Sequence, residues 1–217
     1  MRTRARESLI YSFSLIRGMQ FKGAMVSLVL LVALLGCVNQ PPATQPPVAS
    51  GPGLIEAPAG LSGYNNFKYG VAMNYPTGWQ TDETDPNAIV IFKAPAPAGA
   101  TIAPTVNLTL NDLQGKNMSL DDFLAAAKSQ LSTTFPGYAE VESGPTTMAG
   151  LPAQKLVFTM TGGKGQKMKL MQVYVIQNEI GYALTYTAEE ANYADFEAGA
   201  QAVIGSFKIT KNLRESQ

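Results

Sequence analysis

Phe67, Tyr69, Val71, Met73 and Tyr75 alternate with Lys68, Gly70, Ala72 and Asn74, the two-residue period of a strand with one apolar face. Pro76-Thr77-Gly78 ends this run, and Trp79, the single tryptophan, is expected to fold back over it. A polar turn over 82–87 precedes Ala88-Ile89-Val90-Ile91-Phe92, a β-branched run that reads as the second strand. Pro95, Pro97, Gly99 and Pro104 mark a loop, after which Thr105-Val106-Asn107-Leu108-Thr109-Leu110 alternates again. The period then lengthens. Leu120, Phe123, Leu124, Ala127 and Leu131 fall on one helical stripe, with Ser119 placed as N-cap and Asp121 and Asp122 where acids complement the helix dipole.

Pro136-Gly137 closes that helix, and Tyr138 to Ser143 predicts a short edge-like strand followed by a turn over 146–152 centred on Gly150. Ala153 to Thr161 and Lys167 to Asn178 form a hairpin around Gly162-Gly163-Lys164-Gly165, and Tyr182 to Thr187 pairs onward. Thr187 and Glu190 have capping-box spacing, which opens a second helix with Tyr193, Phe196, Ala200, Val203 and Ile204 facing inward. Ser206 to Ile209 supplies a last short strand. Consecutive strands joined by short turns imply an antiparallel sheet, and two amphipathic helices must cover it. The predicted class is α+β: a central antiparallel β-sheet flanked by α-helices.

Ahead of this domain the pattern is of another kind. Residues 25–35 are an apolar run preceded by Lys22, too short for the roughly 20 residues that span a bilayer, and of the length of an export signal. Leu34-Leu35-Gly36-Cys37 places the only cysteine of the chain where the apolar run stops and Val38-Asn39-Gln40-Pro41-Pro42 begins. That junction resembles the bacterial lipoprotein box, in which cleavage falls between the residues at Gly36 and Cys37 and the cysteine carries the lipid. The expected plan is a signal peptide over 1–36 with a start at Met19, and Cys37 with a proline-rich tether over 37–62. The domain then fills 63–210, and a polar tail covers 211–217. Pro41, Pro42, Pro46, Pro47, Pro52 and Pro58 favour extended backbone. A tether of about 25 residues averages about 25–30 Å end to end and reaches about 75 Å when extended.

Composition narrows the chemistry. The 217 residues carry 16 basic and 16 acidic side chains, but Arg2, Arg4, Arg6, Arg17, Lys22 and Glu7 precede Cys37, leaving 11 basic against 15 acidic beyond it. A mildly acidic exported portion does not suit binding of nucleic acid by phosphate neutralisation. Histidine is absent from the chain. A Ser-His-Asp triad, a Cys-His pair and His-ligated zinc are therefore excluded, and any catalysis would rest on carboxylates, lysine or tyrosine.

Phe67-Lys68-Tyr69-Gly70-Val71-Ala72-Met73-Asn74-Tyr75-Pro76-Thr77-Gly78-Trp79 resembles the opening of PsbP-like domains, as do Tyr182-Ala183-Leu184-Thr185-Tyr186-Thr187-Ala188 and Ile204-Gly205-Ser206-Phe207 the later parts. The resemblance, to the PsbP-like and DcrB-like superfamily, runs through the whole domain in order. It implies an α/β/α sandwich and a non-catalytic binding module. The superfamily includes an extrinsic protein of photosystem II and envelope lipoproteins, so its fold leaves the partner open.

Three groups of residues invite a site. Asp82, Glu83 and Asp85 supply oxygen ligands for calcium but lack the spacing of a calcium loop, and a solvated turn is the favoured account of them. Glu189 and Glu190 could pair as catalytic carboxylates, although capping explains them better. Gly162-Gly163-Lys164-Gly165 lacks P-loop spacing and reads as a hairpin tip. Lys164, Lys167 and Lys169 gather positive charge at that tip, either to contact an acidic partner or lipid head groups, or to guard an edge strand against aggregation. The function expected is that of an extracytoplasmic, membrane-anchored module. It would be held by lipid on Cys37 and bind or assemble a membrane-associated protein complex, with no cofactor except possible calcium. A photosystem II role and a small-ligand or carboxylate-based hydrolytic role are the alternatives.

Overall fold

The computed structural model describes residues 57–213, so the apolar segment, Gly36, Cys37 and most of the tether lie outside the described residues. Strands β1 (Leu61–Asn66) and β2 (Val71–Pro76) form an antiparallel hairpin. The single strand expected from Phe67 is interrupted here. Asn66 Oδ1 accepts the Tyr69 N–H at 3.2 Å and Gly70 takes φ +57°, so residues 67–70 turn and Phe67 is left 66% exposed. The alternation holds only from Val71, and β1 occupies residues that the sequence assigned in part to the tether.

Seven further strands make the main sheet: β3 (Gln80–Asp82), β4 (Val90–Lys93), β5 (Thr105–Asp112), β6 (Ala139–Met148), β7 (Leu151–Thr161), β8 (Lys167–Gln177) and β9 (Ile180–Glu189). Their order is β3-β4-β5-β9-β8-β7-β6, and all pairings are antiparallel. The last strand, β10 (Lys208–Ile209), joins β2 instead, completing a three-stranded sheet of order β1-β2-β10. β6 is longer than expected. A two-residue loop, Ala149 at φ +55° and Gly150 at φ +75°, replaces the seven-residue turn, because two successive left-handed residues match the twist of the flanking strands. Mostly exposed edge positions, Val141 among them, gave no alternation to read, and Pro145 is tolerated at an edge.

Helix α1 (Leu120–Thr134) packs on β7 and β8, burying Phe123, Ala127 and Leu131. Its N-terminus closes reciprocally: the Asp122 N–H donates to Ser119 Oγ at 3.1 Å and the Ser119 N–H to Asp122 Oδ2 at 3.3 Å. Helix α2 (Tyr193–Gly205) lies on the opposite face against β2, β9 and β5. The capping box expected from Thr187 and Glu190 does not form. β9 continues to Glu189 with Thr187 buried in it, a 3-10 turn spans Glu190–Asn192, and Asn192 caps α2 without a side-chain bond. Trp79 stands against α2 rather than over β2 alone: a Cβ on Gly199 would lie 2.9 Å from its Cζ2 and 3.2 Å from Pro76 Cγ.

The main sheet is therefore buried on both faces. Val90, Phe92, Val106, Leu108, Leu184 and Tyr186 point into the larger core beneath α2 and the small sheet. Leu156, Phe158, Leu170 and Tyr174 point into the smaller core beneath α1.

Candidate functional site

β5 alternates Val106, Leu108 and Leu110 towards the larger core with Thr105, Asn107, Thr109 and Asn111 towards the α1 face. Polar residues on a covered face need partners or an opening. Both occur. In the middle of the sheet the Tyr174 hydroxyl donates to Gln172 Oε1, and Gln172 Nε2 donates to Thr185 Oγ1 at 3.2 Å. Complete burial pushes the Tyr174 phenol far above its ordinary pKa, so it stays a donor. Thr185 is the register partner of Asn107, and there the polar row meets an opening.

That opening is a cleft of about 350 Å³ beside α1, over β4, β5 and the end of β9. Its floor is Thr105, Asn107 and Thr187, with Thr105 directly opposite Thr187 in the ladder. Asn107 is 3% exposed and Thr187 7% exposed, yet none of the three forms a side-chain hydrogen bond among the described residues. Ile91, Ile102, Phe135, Met160 and Met168 supply apolar walls, and Lys93 and Lys164 stand at the margin.

Two devices hold the walls. Glu189 accepts hydrogen bonds from the Thr101 N–H at 2.6 Å, the Thr101 hydroxyl at 2.5 Å and the Ile102 N–H at 3.3 Å, tying the β4–β5 loop to β9. At the other side the Thr161 N–H donates to the Pro136 carbonyl at 2.8 Å, joining the β7–β8 hairpin to the end of α1. The Gln166 amide folds back over the hairpin, accepting the Lys164 N–H at 3.0 Å. The Thr101 hydroxyl, followed by its N–H, holds the Glu189 carboxyl below the usual range. Lys93 Nζ, 2.5 Å from Asp82 Oδ2, does the same for Asp82, helped by two bonds from Thr84. These acids are ionised acceptors.

The residues singled out in the sequence are distributed differently. Asp82 is engaged by Lys93 and Thr84, and Asp85 Oδ1 accepts the Asn87 N–H at 2.8 Å. Glu83 sits near the Tyr64 hydroxyl. Among the described residues no three acidic or other ligating side chains converge as a metal site would require. The three lysines are split: Lys164 borders the cleft, Lys167 pairs with Glu190 at 2.8 Å, and Lys169 Nζ lies 4.3 Å from the centroid of the Tyr193 ring. Glu189 and Glu190 thus serve different neighbours. Thr105, Asn107 and Thr187 were not singled out. The available signal was polar alternation in β5 and β9 within a sheet whose two faces both need cover.

The model of one protein family, described as PsbP-like protein, matches residues 24–209. No curated protein matches the sequence. Among solved structures the chain is similar to LpqN of Mycobacterium tuberculosis, described as involved in cell envelope biogenesis. That match has 18% identity and a TM-score of 0.55, covering 65% of this chain and 83% of that one. It is also similar to cyanobacterial PsbP, CyanoP, of Synechocystis, with 14% identity and a TM-score of 0.53, covering 76% and 99%. These likenesses are of fold. Among the described residues no helix is long and apolar enough to cross a membrane.

Proposed function

The chain belongs to the PsbP-like protein family, and on that premise we propose that it is an exported, lipid-anchored, non-catalytic binding module of the cell envelope. Its lipid is carried on Cys37 and its domain serves a membrane-associated protein complex. The observation that carries the binding reading is the cleft, where a rigid sheet presents hydrogen-bonding groups that the fold itself leaves unused. A cleft of this size falls in the range of ligand sites, about 300–1,000 Å³. Asp82 and Glu189 beside it are held ionised by hydrogen-bond donors, the condition of structural acceptors rather than of acids poised to exchange a proton near neutrality. The apolar run ending at Gly36-Cys37 supports the anchor, and the fold shared with an envelope-biogenesis protein agrees with an extracytoplasmic place.

The test is recovery of the tagged full chain from gently solubilised native membranes, beside Cys37→Ser and beside Thr187→Trp, which fills the cleft. The wild-type chain is expected in the membrane fraction with a co-purifying envelope complex. Cys37→Ser is expected in the aqueous fraction, and Thr187→Trp anchored but without the complex. A Cys37→Ser chain that stays in the membrane overturns the anchor, and a complex retained by a folded Thr187→Trp overturns the cleft. Photosystem II core subunits in the recovered complex would select the photosynthetic role among PsbP-like functions.

A further inference from the structure

The cleft described above has a chemical bias that goes further than its use as a binding site. Its charged side chains are engaged by neighbours or face solvent, and none stands on the floor. Lys93 is bound to Asp82, Glu189 is spent on Thr101 and Ile102, and Asp85 on Asn87, while Lys164 is exposed at the margin. A charged ligand entering between Ile91, Ile102, Phe135, Met160 and Met168 would lose water without gaining a counter-ion on the floor. The floor instead offers neutral groups. The Asn107 carboxamide, 3% exposed and unpartnered among the described residues, presents one donor end and one acceptor end, with the Thr105 and Thr187 hydroxyls two residues along the ladder. That amide opens onto the cleft, where water or a ligand completes its hydrogen bonds.

We infer that the cleft takes an uncharged ligand that joins an amide-like donor–acceptor group to a small apolar body. The amide-like group pairs with the Asn107 carboxamide, and the apolar body lies between the two methionines and Phe135. Met160 and Met168 suit this task because an unbranched, polarisable side chain adapts to the shape that enters. The inference rests on the proposed use of the cleft and narrows its ligand class.

Hexanamide, hexanoate and hexylammonium share one apolar body and differ in the polar end. Each would be titrated into the full chain, methyl-labelled at methionine and embedded in phospholipid nanodiscs, with empty nanodiscs as reference. Hexanamide is expected to shift the Met160 and Met168 methyl signals saturably. Met73 and Met148, buried in the opposite core, should stay still and so report an intact fold. The two ions should need about tenfold or more higher concentration, the equivalent of one lost buried hydrogen bond. Asn107→Leu should remove the preference for the amide, and Asn107→Asp, of nearly equal size, should do the same. Equal binding of hexanoate or hexylammonium, or an amide preference that survives Asn107→Leu, would overturn the ligand class while leaving the cleft a binding site. Silence from all three compounds would overturn the class as well, and the membrane-complex reading would then stand or fall on the co-purification alone.

Discussion

At Gly70 two restrictions coincide. The φ of +57° favours a residue without a side chain, and an added Cβ would lie 2.6 Å from Lys211 Cβ and 2.9 Å from the Lys211 carbonyl oxygen. Left-handed backbone costs about 1–2 kcal/mol and overpacking about 1–3 kcal/mol, so Gly70→Ala is expected to lose about 2–5 kcal/mol in urea unfolding. Gly199 has no such backbone restriction. Alanine there gains about 1 kcal/mol of helix propensity but meets the edge of Trp79 at 2.9 Å, where overpacking costs about 1–3 kcal/mol. Net destabilisation of about 1 kcal/mol follows. Since Trp79 is the only tryptophan, a shift of its fluorescence reports the displacement directly. Neither close approach is visible in sequence, since each involves residues distant along the chain.

Single elements carry the next predictions. Ser119→Ala removes the acceptor of the Asp122 N–H at the start of α1 and should cost about 1 kcal/mol by urea unfolding. Glu189→Gln should loosen the β4–β5 loop alone, seen as faster amide exchange at Thr101 and Ile102 with β5 unchanged. The same release is expected on acidification. The folded-state pKa of Glu189 is depressed, so its contribution is complete above its ordinary value of 4.5 and is lost as pH falls through the depressed value. α1 was legible to its cap because Ser119 and the apolar stripe are local signals. The start of α2 was misread for an equally physical reason. Capping-box spacing at Thr187 and Glu190 recurs by chance, and the pairing of β9 with β8 and β5 overrode it by carrying the strand on to Glu189.

For the molecule as a whole, acid should weaken stability gradually. Asp82, Asp122, Glu140 and Glu189 all have depressed pKa values, caused chiefly by Lys93, Ser119, Lys128 and Thr101 in turn. Their stabilisation is present above the ordinary values of 3.8 and 4.5 and declines as pH drops through the folded-state values. The Lys93 and Lys128 contributions should shrink with added salt, since these pairs are partly exposed. A thermal melting series from pH 6 to pH 2 at two salt concentrations checks both. At this scale the fold class, the antiparallel sheet and both helices were legible in the sequence, because each is written in short-range periodicity. It did not reveal that β2 leaves the main sheet for β10, nor that β5, β9 and the end of α1 enclose a cleft, because those depend on which strands meet.

The pairing of Thr105 with Thr187 and of Val71 with Ile209 also sets an order in time. A chain that emerges with its N-terminus first, from a ribosome or a translocation channel, presents β1 to β5 long before their partners arrive. The main sheet stays in two halves until β9 is out, and the small sheet lacks its third strand until β10 follows. Folding is therefore deferred until β9 and β10 have emerged. Such a delay keeps the polypeptide threadable throughout passage, and it makes a truncation before β9 far more damaging than its length suggests.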